Sequence, residues 1–343
     1  MSTHRRRRRT GLRTGLALTA AFALGAAGVT VAAQIPETAE AEPVADTAAP
    51  QQDGQWLTGY WHNFDNGSTV MPLGDVPEEY NLVAVAFAEN HPERDGGITF
   101  EVAGDELDGY TDQEFRDDLA DLQAGGTNVI ISVGGELGHV DVTDPTQAAN
   151  FAETTHELME DYGFDGVDID LEHGIDAEHM TDALRQLDDL SGTDPIITMA
   201  PQTVDFQSPD QDYYQLAENI SDILTLVNMQ YYNSGSMQGC DGAVYEQGTS
   251  DFVAALACIQ LEMDLEPEQV GLGLPATPDA AGGGYLEPQG VVDALDCLEE
   301  GRSCGSFAPE SPYGPIGGVM TWSINWDAAN GYEFADTVSS RLD

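Results

Sequence analysis

Three carboxyls at alternate positions, Asp168, Asp170 and Glu172, stand in the octapeptide Asp-Gly-Val-Asp-Ile-Asp-Leu-Glu at residues 165–172, with Val167, Ile169 and Leu171 in the gaps. A β-strand sends alternate side chains to opposite faces, so in a strand the acids line one face and the aliphatics the other. Like charges along one face repel, and solvation alone does not reward the layout. Acid–base chemistry does. Neighbouring carboxyls raise one another's proton affinity, which keeps a proton on a carboxylic acid near neutral pH for delivery to a poor leaving group. Two blander readings compete: a half-exposed antiparallel strand with a solvated acidic face, and a site for a hard cation. No calcium-loop spacing or histidine-rich pattern accompanies the acids, and no metal is expected.

The flanks speak against the exposed strand. A helical stretch from Ala148 to Tyr162 ends at Gly163, and His173-Gly174 leads into a second, Glu178 to Leu190. Helix, strand, helix is the signature of a parallel α/β unit, whose sheet is covered by helices or closed into a barrel. Short apolar runs recur at Trp56–Trp61, Leu82–Ala88, Asn128–Val133, Gly166–Glu172, Ile196–Met199, Leu224–Tyr231, Val270–Leu274 and Gly318–Ile324. Most gaps hold an amphipathic stretch, at 113–122, 148–162, 178–190, 213–220, 252–263 and 291–299, and another covers 327–338. Eight strands with interleaved helices predict an α/β fold, the (β/α)8 or TIM barrel. An open doubly wound sheet is the alternative, but no glycine-rich phosphate loop follows the first run. Barrel active sites lie at the C-terminal strand ends, so Glu172 is expected at the mouth with the aspartates beneath it.

Residues 1–33 read as a secretory leader: Arg5–Arg9, an apolar run over 16–31, and the small-residue end Val31-Ala32-Ala33. The Arg-Arg-Thr-Gly-Leu-Arg stretch at 8–13 loosely resembles a twin-arginine signal, which leaves the export route open. Residues 34–54, rich in Ala, Glu, Pro, Asp and Gln, read as a disordered linker, and 55–343 as one catalytic domain. Six of the eleven basic residues lie in the leader, none of the 61 acidic ones does, and the chain has no lysine. Nucleic acid is excluded as a partner, because polyanions need Lys and Arg to replace counterions. An anionic membrane surface is excluded on the same ground for the mature form. Self-repulsion of this size disfavours the compact state at low ionic strength, whereas at molar salt the Debye length falls to about 3 Å. The chain is therefore expected to be secreted and salt-adapted (halophilic). Its four cysteines suit disulfides in an oxidising compartment, and local pairing favours Cys240–Cys258 with Cys297–Cys304 among three possible connectivities. Zinc is the weaker alternative, since no Cys-x-x-Cys spacing occurs.

With these residues in order, the chain resembles the family 18 glycoside hydrolases, the chitinase family. The octapeptide matches the family's Asp-x-x-Asp-x-Asp-x-Glu in full at Asp165, Asp168, Asp170 and Glu172. Ser132-Val133-Gly134-Gly135 matches its Ser-x-Gly-Gly. Gly59-Tyr60-Trp61, Phe87, Met199-Ala200-Pro201-Gln202, Gln230-Tyr231-Tyr232-Asn233 and Trp322 fall at other strand ends, so the resemblance spans residues 55–343.

The resemblance implies roles. Glu172 is the acid and then the base, while Asp170 orients the substrate's N-acetyl group, which attacks the anomeric carbon in place of a protein nucleophile. Tyr232 bonds the same group, and Asp168, with Ser132, shares a proton with Asp170. Trp322 is the floor under the distorted sugar; Gln230, Asn233, Tyr60, Phe87, Met199 and Gln202 are pocket walls. Gly134, Gly135 and Asp165 are structural support, and Tyr231 faces the core. His62, His139 and His173 sit at strand ends without an assignable role. The family's processive members carry Met-x-Tyr-Asp on the sixth strand; Gln-Tyr-Tyr-Asn here is similar to the plant hevamine-like branch. Only 41 residues separate Leu274 from Ile316, too few for a large α+β insertion beside the helix already there. An open groove, endo-type cleavage of chitin or chitooligosaccharides, no cofactor and a monomer are the expectations. Cleavage of the N-glycan chitobiose core and a non-catalytic chitin-binding lectin are the alternatives, and the intact Glu172 opposes the second.

Overall fold

Parallel strands hydrogen-bond in a closed ring in the computed structural model, which describes residues 54–263 and 265–342. The predicted leader and all but the last residue of the predicted linker lie outside the described residues. The strands are β1 (Trp56–His62), β2 (Leu82–Asn90), β3 (Ile98–Thr99), β4 (Asn128–Gly134), β5 (Gly166–Asp170), β6 (Ile196–Met199), β7 (Leu226–Gln230), β8 (Ser236–Gln238), β9 (Val244–Glu246), β10 (Val270–Pro275) and β11 (Gly318–Trp322). Eight of them form the ring in the order β1, β2, β4, β5, β6, β7, β10, β11, and β11 returns to β1. This is the (β/α)8 barrel that the spacing predicts. The helices are α1 (Asp112–Gly125), α2 (Pro145–Tyr162), α3 (Ala177–Ser191), α4 (Asp212–Asn219), α5 (Ser250–Leu261), α6 (Pro288–Glu300), α7 (Ile324–Ala329) and α8 (Glu333–Leu342).

Local chemistry sets the helix limits. Thr111 accepts from the Glu114 N–H in a capping box at the start of α1, and Asp144 caps α2 with Pro145 at its first position. Gly163 closes α2 in the left-handed region at φ 89°. Three features depart from the expectations. The single helix expected over 327–338 is two, broken at Asn330-Gly331, where Gly331 takes φ 73°. The short β3 adds antiparallel to the end of β2, and a β8–β9 hairpin follows β7. The fourth ring strand ends at Asp170, not Glu172. Between Pro275 and Gly318 lies α6 with no strand, so no α+β insertion is present there.

Alternation divides the apolar residues into two clusters. Val83, Val85, Val129, Ile131, Ile197, Met199, Val227 and Leu272 pack with helix residues such as Leu184 and Leu216. Trp56, Tyr60, Leu82, Ala84, Ile130, Ile196, Leu226 and Met320 fill the lumen. The lumen is therefore a packed core in which Thr58 and Asn228 are also buried, with the carboxyl chemistry at its upper end. Disulfides join Cys240 to Cys258 (Cα–Cα 5.8 Å) and Cys297 to Cys304 (4.8 Å). The first ties the β8–β9 turn to α5.

All five arginines in the described residues are ion-paired: Arg94 with Glu153 and Glu157, Arg116 with Asp112 and Asp161, Arg185 with Asp222, Arg302 with Asp296 and Glu300, and Arg341 with Asp296, Glu299 and Glu300. Most of the paired acids are exposed, and such pairs contribute about 0–1 kcal/mol. Arg341 differs. It reaches from α8 to Asp296 at 2.7 Å and to buried Glu299 at 2.6 Å. The other Glu299 oxygen accepts from Gln55 Nε2 (2.6 Å) and the Ile316 N–H (2.9 Å). One carboxylate thus joins the segments entering β1 and β11 to α6 and α8. Arg341→Gln strands that carboxylate, and a loss of about 1–3 kcal/mol is expected, discounted for partial exposure. It is read as a lower urea midpoint at pH 7. The remaining acids have no arginine left to pair with, so the thermal midpoint of the unmodified chain rises from dilute buffer to about 2 M NaCl. Equal midpoints would refute that screening account.

Candidate active site

The site is built at the C-terminal ends of the strands, around β5. In the ring register Asp168 stands opposite Ser132 of β4 and Thr198 of β6. Its Oδ2 accepts from the Tyr60 hydroxyl (2.7 Å) and the Ser132 hydroxyl (2.7 Å), and its Oδ1 from the Thr198 hydroxyl (2.6 Å). The group is almost fully buried. Burial pushes its carboxyl above the ordinary range, and the three hydroxyls pull it back. Three donors and no acceptor are what a carboxylate needs, so Asp168 is suited to be the anion of the set.

Asp170, one step up the same face, is equally dry and accepts one hydrogen bond, from Gln230 Nε2 at 2.8 Å. Burial, then the charges of Asp168 and Glu172, push its carboxyl well above the ordinary range. Glu172 is half-buried. Burial raises it, the nearby Glu136 adds to the rise, and Gln230, His173 and Gln202 oppose it. Its Oε1 lies 3.2 Å from Gln230 Nε2 and its Oε2 3.4 Å from Gln202 Nε2.

Glu172 belongs to the turn after β5, and the reason is local. The Leu171 N–H, which would continue the ladder, donates instead to the Tyr213 hydroxyl at 2.9 Å. The strand stops, and Glu172 leaves the ladder above two fixed aspartates. The glycine pair 134–135 makes room for this. A Cβ on Gly134 (φ 121°) would lie 2.1 Å from the Asp170 carbonyl oxygen, which accepts from the Gly135 N–H at 2.7 Å.

Aromatic rings floor one side. Trp322 stacks on Phe87 (centroids 5.8 Å, 18°) and meets the Tyr60 edge at 5.4 Å. His62 lies 4.8 Å from Trp322 and stacks on Phe64 at 4.6 Å. Burial lowers the His62 imidazole to about 3, so it packs as a neutral plate. Tyr232 is buried beside the acids, and burial followed by the Asp170 and Glu172 charges lifts its phenol well above the usual range. At the rim, His139 pairs with Asp141 (3.0 Å) and His173 Nε2 lies 2.9 Å from the Glu136 carbonyl oxygen.

Glu172, Asp170, Asp168, Ser132, Tyr60, Tyr232, Gln202, Gln230, Phe87 and Trp322 converge here. Met199 does not: it is fully buried in the helix-side core, because register pairs it with outward-facing Ile169 while Thr198 takes the lumen position. Asn233 occupies an exposed turn at φ 53°, a left-handed conformation Asn tolerates, with its N–H on the Gly283 carbonyl. Asp165 lies at the opposite end of β5, accepting from the Val129 N–H (2.7 Å) and Gln123 Nε2 (2.9 Å). Tyr231 turns to the core, where Gln260 donates to its hydroxyl at 2.8 Å. Thr198 and Tyr213 went unnoticed in the sequence. A polar residue inside Ile-Ile-Thr-Met, in phase with the carboxyls, was the available signal for Thr198.

Comparison with known proteins agrees with this geometry. The family profile described as "Glycosyl hydrolases family 18" matches residues 57–296. Chitinase D of Niallia circulans is 35% identical over 321 residues, covering 82% of this chain and 60% of that protein. A Streptomyces coelicolor protein assigned as chitinase A superposes with TM-score 0.83 at 53% identity, covering 84% of this chain and 98% of that one. A family GH18 chitinase from Chromobacterium violaceum gives TM-score 0.78 at 30% identity, covering 84% of this chain and 83% of that one. The chain spans 60% of the length of the Niallia relative.

Because Asp170 is protonated more readily in the fold than in the unfolded chain, its contribution to stability is full below the unfolded carboxyl value and is lost as pH rises through the folded one. Asp170→Asn removes the repulsion. Its thermal midpoint should exceed that of the unmodified chain by a margin that widens from pH 4 to pH 8. A margin independent of pH would show that Asp170 is not strained by its neighbours.

Proposed function

The chain belongs to glycosyl hydrolase family 18, and from that premise we propose that it is a secreted chitinase cleaving β-1,4 bonds between N-acetylglucosamine units within the chain. The observation that carries the reading is the graded carboxyl set: a buried Asp168 with three hydroxyl donors, a buried Asp170 with one amide donor, and a half-exposed Glu172 above them.

Glu172 gives its proton to the glycosidic oxygen as the bond to the anomeric carbon breaks. The carbonyl oxygen of the substrate's own acetamido group forms the new bond to that carbon, giving an oxazolinium ion. Asp170 orients the acetamido N–H and balances the positive charge, and Tyr232 steadies the same group. A water then attacks the anomeric carbon, loses a proton to Glu172, and opens the ring. Two inversions at one carbon give net retention, with no protein nucleophile. Trp322, backed by Phe87 and Tyr60, supports the sugar face.

The endo mode is supported by the segment 276–317, which holds α6 and no strand and so lacks an α+β insertion that could wall a deep cleft. Export is supported by the leader pattern in residues 1–33 together with the two disulfides. Chitohexaose and a high-mannose glycoprotein, digested side by side, test the substrate. Internal cleavage of the hexamer with the β-anomer appearing first, and an intact glycan, are expected. Glu172→Gln should lower the rate on the hexamer by roughly 10²–10⁴-fold. Release of the glycan with an untouched hexamer would make the chain an endo-β-N-acetylglucosaminidase, and undiminished cleavage by Glu172→Gln would end the mechanism.

A further inference from the structure

A carboxamide nitrogen carries two hydrogens. Gln230 Nε2 has three acceptors within reach: Asp170 Oδ1 at 2.8 Å, the Ala200 carbonyl oxygen at 3.0 Å and Glu172 Oε1 at 3.2 Å. The backbone acceptor is fixed, so one hydrogen is divided between two carboxyls. Nor can the amide swing out to solvent. Gln230 is 3% exposed, closes β7, and holds the Pro201 carbonyl through its own N–H at 2.9 Å. It also bridges Gln202, whose amide bonds the far oxygen of Glu172.

We propose that Gln230 is a positioning residue whose single amide nitrogen, anchored on Ala200 and shared between Asp170 and Glu172, makes protonation of one carboxyl favour ionisation of the other. When Asp170 is an anion it is the stronger acceptor and keeps the N–H, and Glu172 retains its proton as the acid. When Asp170 holds a proton the N–H turns to Glu172 and supports its anion, the resting arrangement of the free protein before a substrate amide calls for the charged Asp170. The inference deepens the proposed mechanism and rests on Glu172 serving as its acid.

Other groups face the pair. Asp168, Tyr60, Tyr213 and Tyr232 surround Asp170, while Glu136, His173, Asp205 and Tyr232 surround Glu172. Neither carboxyl accepts a side-chain hydrogen bond from any of these; Asp168, Glu136, His173 and Asp205 act through charge, while burial keeps the three phenols protonated and uncharged. Repulsion by itself also makes the two ionisations alternate, and the test must separate it from a shared donor.

Gln230→Met keeps the side chain's length and removes the N–H. Carbon-13 carboxyl titration of the substrate-free protein should show the Asp170 and Glu172 midpoints both rising, Glu172 by about half a pH unit. The basic limb of kcat/KM on chitotetraose should move up by the same amount. In an Asp170→Asn background the same substitution should move Glu172 further, because a neutral amide oxygen at position 170 competes less strongly than a carboxylate and yields more of the N–H to Glu172. Repulsion without a shared donor predicts unmoved midpoints in Gln230→Met. A mere pocket wall predicts a higher KM with both limbs in place. Either result overturns the proposal. Gln202→Met is the companion, expected to raise Glu172 and leave Asp170 in place; if Gln230→Met fails to fold, Gln230→Leu carries the same readout. Failure of the unmodified enzyme to cleave chitotetraose would sink the chitinase reading, while the titration, which needs no substrate, would still decide the role of Gln230.

Discussion

Everything at the barrel mouth follows from the burial of two aspartates on one strand face beneath a glutamate. Such a set cannot hold three negative charges in a dry lumen, because each ion loses its hydration and feels its neighbours through a poorly polarisable medium. The surrounding residues resolve this unequally. Three hydroxyls converge on Asp168, from three different strands, and favour its charge. A single amide reaches Asp170, whose proton affinity burial and two flanking carboxyls raise. Glu172 has water on one side and amides on the other, the mixture that lets a group give up a proton and take it back.

The scaffold's contribution is to stop the strand at the right residue. A carboxyl still in the ladder would be held as rigidly as the aspartates and would share their dryness. The Tyr213 hydroxyl ends the ladder at Leu171, and the Gly134-Gly135 pair lets the neighbouring strand end lie against the Asp170 backbone. Neither device touches the carboxyl it positions.

Much of this was legible in the sequence because period-two alternation is simple. Eight apolar runs, the phase of Asp168 and Asp170, and the paired glycines sufficed for the barrel and for one face of its mouth. The failures have physical causes. Met199 was placed in the pocket by motif resemblance, although counting by twos from its neighbours turns it outward. Ending β5 at Glu172 missed a hydrogen bond from a residue 42 positions away, which no local pattern contains. Thr198 and Tyr213 act through long-range register, which becomes visible only once the ring is closed. Gln230 was recognised as a site residue, but one amide serving two acids is a matter of distances.

Closure of the ring has a consequence for the order of events in synthesis. Tyr60, which donates to Asp168, comes from the first strand, and Trp322, packed against Tyr60, comes from the last. Bringing such distant segments together is slow compared with forming local helices. Until β11 docks beside β1, Tyr60 and Phe87 lack the Trp322 ring they pack against, so the aromatic floor of the site is completed with the final strand rather than accumulating along the way. A partly assembled barrel thus lacks that floor, and on the proposed function hydrolytic activity would report on completed folding at both ends of the ring.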